Sequence, residues 1–200
     1  MSHTLAVYVL LVLFSAEVYA QKTPGKKSLP DICLTQVETE LYWLINEYRA
    51  RKDLPEIKLS ASLSFVARLH ATDQTENYKE SNRCNMHSWS DKGEWSSCCY
   101  SPDHKKARCM WDKPRELTNY TGDGFEISFY STYDYTSPAE FARDILDGWM
   151  KSPGHNDMII NKNTWKNVKW KSMGIGINGE YANVWFGREE DSAGEPGPCE

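Results

Sequence analysis

The sequence predicts an α+β fold, and three observations carry that prediction. Two stretches of helical periodicity come first, then an irregular middle rich in Ser, Asp, Gly and Cys, then one more helix and two alternating stretches around a tight turn. Alternating βαβ units would interleave strands with helices along the whole chain, and this order does not. All six cysteines lie beyond residue 20, an even number that fits a disulfide-stapled domain.

Taken in order, residues 1–20, MSHTLAVYVLLVLFSAEVYA, hold an unbroken apolar run over 5–14, then Val18 and Ala20 where a signal peptidase reads. This resembles a secretory signal peptide, and the run is shorter than the roughly 20 apolar residues a membrane span needs. The expectation is a secreted, extracellular chain with no membrane anchor, an N-terminal extension over 21–33 and a domain over 34–187. A C-terminal tail is expected over 188–200, of which residues 189–200, like 21–30 after the leader, read as disordered. Thr35 and Glu38 have capping-box spacing, and Val37, Leu41, Leu44, Ile45 and Tyr48 recur at the helical period, so a helix is expected over 35–50. A second helix over 61–77 puts Leu63, Val66, Ala67, His70 and Gln74 on one face, which makes His70 a packed, hydrogen-bonded core histidine rather than a ligand. Residues 78–135 predict only loops and short strands. Ser137, Pro138 and Glu140 occupy N-cap, N1 and N3 of a further helix, which Ser152, Pro153 and Gly154 end. Met173, Ile175 and Ile177, then Asn-Gly-Glu, then Tyr181, Asn183 and Trp185 read as a hairpin with a three-residue link.

The cysteines are Cys33, Cys84, Cys98, Cys99, Cys109 and Cys199. In an oxidising compartment they predict three disulfides, and a bond between neighbours Cys98 and Cys99 would strain the peptide between them, so each is expected to reach a different partner. The stretch CCYSPDHKKARC has Cys99, His104 and Cys109 at knuckle-like spacing, but an oxidising compartment favours a staple with His104 on the surface. The formal net charge is −5, or −4 without the leader and its Glu17, and no Lys/Arg stripe exists to neutralise phosphates, so nucleic acid is excluded as a partner class. The cluster Lys105, Lys106 and Arg108 reads as a solvated face. Asn119-Tyr120-Thr121 is an N-glycosylation acceptor.

The stretches LINEYRARKDLPEIKLSASLSFVARLHA, CNMHSWSD, GFEIS, ILDGWMKSPGHNDMII and MGIGINGEYANVWFG resemble, in that order, the CAP superfamily of cysteine-rich secretory proteins, antigen 5 and plant pathogenesis-related proteins of class 1. The Trp-Met-x-Ser-Pro-Gly-His form is similar to its shorter, bacterial-type branch. The resemblance implies a three-layer α-β-α sandwich with a central antiparallel sheet, and a cleft lined by two histidines and two acids. Residue by residue it implies His87, Glu126 and His155 in that cleft, with Ser152 at the usual second acid position and Ile127 where Asn is common. The hydroxyl of Ser152 leaves the cleft one negative charge short.

Two imidazoles and a carboxylate can hold Zn²⁺ or another divalent cation with water completing the shell, so His87 and His155 are the candidate metal ligands. Without a metal the same groups can serve as acid and base, or can simply tie loops across the cleft. Trp89, Trp95, Tyr130, Tyr133 and Tyr135 flank the expected cleft residues, as core packing or as the wall of an apolar groove. Three functions follow as expectations: a binding module for an extracellular ligand, ion or protein partner, a metal-dependent hydrolase of peptidase type, or a carrier of sterol or fatty acid as the lipid-binding relatives imply. The residues show no activated nucleophile, so the catalytic residues stay unassigned and the reading leans away from an enzyme.

Overall fold

The capping box written in the sequence forms. Thr35 accepts from the backbone of Glu38 through its hydroxyl, and the Glu38 carboxylate accepts the Thr35 N–H at 2.8 Å, so α1 (Gln36–Ala50) starts as expected. The same carboxylate is buried and accepts the Ile177 N–H at 2.9 Å and an Arg68 guanidinium N–H at 2.6 Å, which ties the helix start to the sheet and to the next helix. The computed structural model describes residues 28–200; the leader expected over 1–20, and residues 21–27 of the extension, lie outside them.

The chain runs β1 (Cys33–Leu34), α1, β2 (Lys58–Leu59), α2 (Ala61–Asn77), α3 (Arg108–Trp111), α4 (Lys113–Leu117), β3 (Gly124–Tyr130), α5 (Pro138–Lys151), α6 (Pro153–Ile159), a 3₁₀ turn (Asn163–Trp165), β4 (Ser172–Asn178), β5 (Tyr181–Gly187) and β6 (Gly197–Pro198). The main sheet has strand order β2-β4-β5-β3. Its three long strands are antiparallel, but two-residue β2 joins β4 in parallel, so the sheet is mixed where an all-antiparallel one was expected. Asn178 pairs with Tyr181, so the hairpin link is the two residues Gly179 and Glu180, not three. Gly179 sits at φ +55, the left-handed conformation that a tight hairpin turn demands and that glycine adopts freely.

Alternation along the strands sorts side chains onto two faces. Phe125, Ile127, Met173, Ile175, Val184 and Phe186 join Leu41 and Ile45 of α1 and Ile145 and Trp149 of α5 in the larger core. On the other face Trp185 packs with Leu63, Val66 and Ala67 of α2 and with Trp89, Cys98 and Tyr100 of the irregular middle. This is the expected α-β-α sandwich. α2 lies so close that a Cβ on Gly176 would fall 2.1 Å from the Arg68 nitrogen.

Three disulfides, Cys33–Cys199, Cys84–Cys99 and Cys98–Cys109, account for all six cysteines, and the two neighbours do reach different partners. The tail that reads as disordered is tied down. β6 pairs with β1, and Asp191 accepts from the Ser60 and Ser62 hydroxyls at 2.7 and 2.9 Å; Pro and Gly composition hid these non-local contacts. No helix among the described residues is long and apolar enough to cross a membrane.

Candidate ligand-binding cleft

The site starts from the alternation of β3. With Phe125 and Ile127 committed to the larger core, Glu126 points to the opposite face, where α2 presents His70. Glu126 is buried, and each of its oxygens is taken by an imidazole: His70 Nδ1 at 2.5 Å and His87 Nδ1 at 2.8 Å. Burial alone would raise this carboxyl, but the charges and hydrogen bonds of His70 and His87 prevail and hold it down at about 2. Glu126 is therefore ionised and can only accept, so both Nδ1 atoms carry protons. His70 Nε2 lies 3.0 Å from the Ser88 carbonyl, so both nitrogens of this buried ring face acceptor oxygens and hold it against Glu126. Its ring stacks on Trp89 with centroids 4.4 Å apart and planes 6° apart.

With both oxygens of Glu126 accepting from imidazoles, His87 keeps Nε2 as its open nitrogen. His87 rides on a loop clamped from several sides. Cys84 is bonded to Cys99, the Asn85 N–H donates to Tyr100 O at 2.9 Å, and Trp89 and Cys98 exchange backbone hydrogen bonds at 2.8 and 3.0 Å. His155 comes from the first turn of α6. Ser152 closes α5 and opens α6, because Ser-Pro is at once a helix stop and a preferred cap-and-N1 start; the sequence reading saw only the stop. Burial and then the neighbouring His87 push the His155 imidazole down to about 4 against the opposing pull of Glu126, so it is neutral at physiological pH.

His87, Glu126 and His155 line one cleft of about 640 Å³. Ser152 does not line it. His104 does, and it is exposed as expected, held at φ +58 with Nδ1 3.0 Å from the Tyr100 hydroxyl. The remaining wall is mostly apolar, with Met110, Trp111, Phe125, Met158, Trp165 and Val168, while Asp123, Thr164 and Arg188 add polar groups, and Arg188 stands over the Phe125 ring at 5.1 Å. These are not the aromatics the sequence pointed to. Trp89 and Trp95 belong to the smaller core, and Tyr130, Tyr133 and Tyr135 lie toward the other end of β3. Lys105 and Lys106 are exposed as expected, and Arg108 pairs with Asp112 and Asp123. Asn119 is half-buried between buried Thr118 and Tyr120, with Thr121 exposed.

For a metal the donor set divides. Each Glu126 oxygen already accepts from an imidazole, and no three His, Cys, Asp or Glu side chains are grouped to hold an ion among the described residues. The expected set of two imidazoles plus a carboxylate thus contracts to His87 Nε2 and His155, with Glu126 behind His87 as the carboxylate that fixes a ligating imidazole's tautomer.

The model of the cysteine-rich secretory protein family (CAP) matches residues 42–183. A search of curated proteins gave no match. Among solved structures the chain is similar to an outer surface protein from Borrelia burgdorferi, at 16% identity and a TM-score of 0.50, with 78% of this chain and 94% of that one covered. An extracellular protein containing an SCP domain from Bacillus anthracis (17% identity, TM-score 0.49) and a cysteine-rich secretory protein from Staphylococcus aureus (18%, 0.49) are each covered over 76% of this chain. The chain spans 40% and 38% of the lengths of those two proteins.

Proposed function

The chain belongs to the cysteine-rich secretory protein (CAP) family, and from that premise we propose that it is a secreted module that binds a ligand, an ion or a protein partner in the cleft between His87 and His155. The observation that carries this reading is the commitment of Glu126. A general base works best with a pKa near the working pH, whereas both oxygens here accept from imidazoles and the group stays ionised down to about pH 2. What the cleft offers instead is the open nitrogen of His87, set on its clamped loop, and the neutral imidazole of His155. Zn²⁺ or a similar divalent cation held there would supply a Lewis-acid centre with water-filled positions. The apolar leader, the three disulfides and the absence of free cysteine among the described residues support export to an oxidising compartment, and the Asn119 acceptor is the expected glycan site.

A metal-dependent hydrolase is the alternative the same imidazoles allow. A carrier of an amphipathic lipid, sterol or fatty acid, is favoured by one further observation, the six apolar side chains on the wall beside the polar end. Elemental analysis and ligand mass spectrometry on the natively secreted protein separate the three, because they report metal and lipid together. Calorimetric titration with Zn²⁺ should show a site that either His87→Ala or His155→Ala abolishes. Undiminished affinity in both variants refutes the ion reading, and peptide hydrolysis that both variants lose replaces it with the enzyme.

A further inference from the structure

The sequence places Tyr130, Tyr133 and Tyr135 as core packing or as the wall of an apolar groove, and the structure puts none of them on the cleft. They stand where β3 leaves the sandwich. Burial along β3 gives way to exposure at its C-terminal end, with Tyr130 46% and Tyr133 63% accessible, so two of the three exposed large hydrophobic side chains among the described residues fall within four positions of each other. Rings continue from them in both directions. Tyr130 packs on Tyr181 with centroids 4.8 Å apart, Tyr133 on Tyr135 at 4.9 Å, and Tyr135 stacks on Phe141 at 4.3 Å. The loop is anchored. Ser131 N–H donates to Glu180 O at 3.0 Å, and the Tyr135 hydroxyl donates to Asp144 at 2.5 Å.

Charge is one-sided around these rings. Asp134, Glu140, Asp144, Asp147 and Glu180 surround them, Arg143 is the one cation on the adjoining groove of about 330 Å³, and no ion pair among the described residues neutralises Asp134, Asp144 or Asp147. Exposed rigid aromatics are uncommon on surfaces that bind nothing, and an aromatic face ringed with carboxylates attracts cations twice over, through the ring quadrupole and through Coulomb steering. The rings reject a strongly hydrated anionic partner, and the carboxylates would go unpaired against a purely apolar one.

We propose that this tyrosine platform is a docking surface for an extended, arginine- and lysine-rich segment of a partner protein. It goes beyond the cleft reading. Four residues of strand separate Glu126 from Tyr130, about 13 Å, and no cleft-lining residue belongs to the platform.

The test uses the full secreted chain and, as probe, a short peptide alternating arginine and serine, titrated calorimetrically against a matched glutamate–serine peptide and a neutral oligosaccharide. The expected result is binding of the arginine peptide alone. Affinity should fall about tenfold or more when sodium chloride rises from about 0.05 to about 0.5 M. A comparable loss is expected in Tyr130→Ala/Tyr133→Ala and in Asp144→Asn/Asp147→Asn, while His87→Ala binds as the parent does. These side chains are on the surface, so circular dichroism should show both double variants folded. Arginine-peptide binding that is absent, or unchanged in both double variants, overturns the proposal, and oligosaccharide binding lost in the same variants assigns the platform to a sugar instead.

Discussion

The Glu126 carboxylate sits behind the open nitrogen of His87, and removing its charge tests whether the pair with His70 is as tight as its geometry. Glu126→Gln removes the buried charge that both imidazoles hydrogen-bond and turns its amide N–H₂ toward one of them, a change that typically costs about 3 kcal/mol. Calorimetry should show Tm falling by roughly 10 °C for a chain of this length, whereas His87→Ala, whose side chain is 17% exposed, should cost only about 1 kcal/mol. A melting point unchanged in Glu126→Gln would rule out a carboxylate that holds both rings. Because the carboxyl is depressed from 4.5 to about 2, its contribution to stability is complete above pH 4.5 and is lost as pH falls toward 2. His155 is also depressed, from 6.5 to about 4, so its contribution is complete above 6.5 and is lost as pH falls through 4. The lone pair that would bind an ion is thus still present at pH 5, where an ordinary imidazole is mostly protonated. An NMR titration should put the His155 midpoint near 4; a midpoint at 6.5 or above contradicts the burial argument.

At the scale of elements, what the sequence made legible follows the range of the interactions. The capping box of α1 and the whole of α2 were readable because cap residues and a 3.6-residue period are local signals. α6 was not, because its start coincides with the stop of α5, and the short helices α3 and α4 were not, because disulfides and loop contacts shape that region rather than propensity. The site divides likewise. His87, Glu126 and His155 were legible through motif resemblance, while periodicity buried His70 correctly but could not name a partner 56 residues away. The sequence reading also passed over the glycines of β4, although Gly174 and Gly176, two apart, are the signal of a closely approaching backbone. Gly176→Ala would force α2 away from the sheet and should cost about 3 kcal/mol by chemical denaturation. Gly154→Ala, with nothing near its Cβ position and a helical setting, should instead gain about 0.5–1 kcal/mol. Equal effects at the two sites would mean that the α2–β4 approach is not a close one.

Over the whole molecule the sheet separates two cores of different kinds. The larger one, under α1 and α5, is apolar and carries no cystine, while the smaller one gathers the irregular middle around Trp89 and Trp185 and includes Cys98 and Cys109. The indole nitrogens of both tryptophans are buried without a partner, a cost the larger core avoids. Cross-links therefore sit where packing alone holds least. Cys33–Cys199 serves a different purpose, closing nearly the whole chain and pinning β6 to β1 away from the cleft. Removing it should cost about 5 kcal/mol by the loop-entropy estimate and leave cleft binding intact in the fraction that stays folded. Cys84–Cys99 closes a far shorter loop, so Cys84→Ser/Cys99→Ser should cost only about 3 kcal/mol, yet it releases the segment three residues before His87. Its signature should be a loss of affinity in the cleft larger than that of any distant variant of equal melting temperature. Measuring Zn²⁺ binding and Tm together on the two cystine-deleted proteins decides the matter. If both lose stability and affinity in the same proportion, the disulfides are general staples and the Cys84–Cys99 bond has no special hold on the histidine.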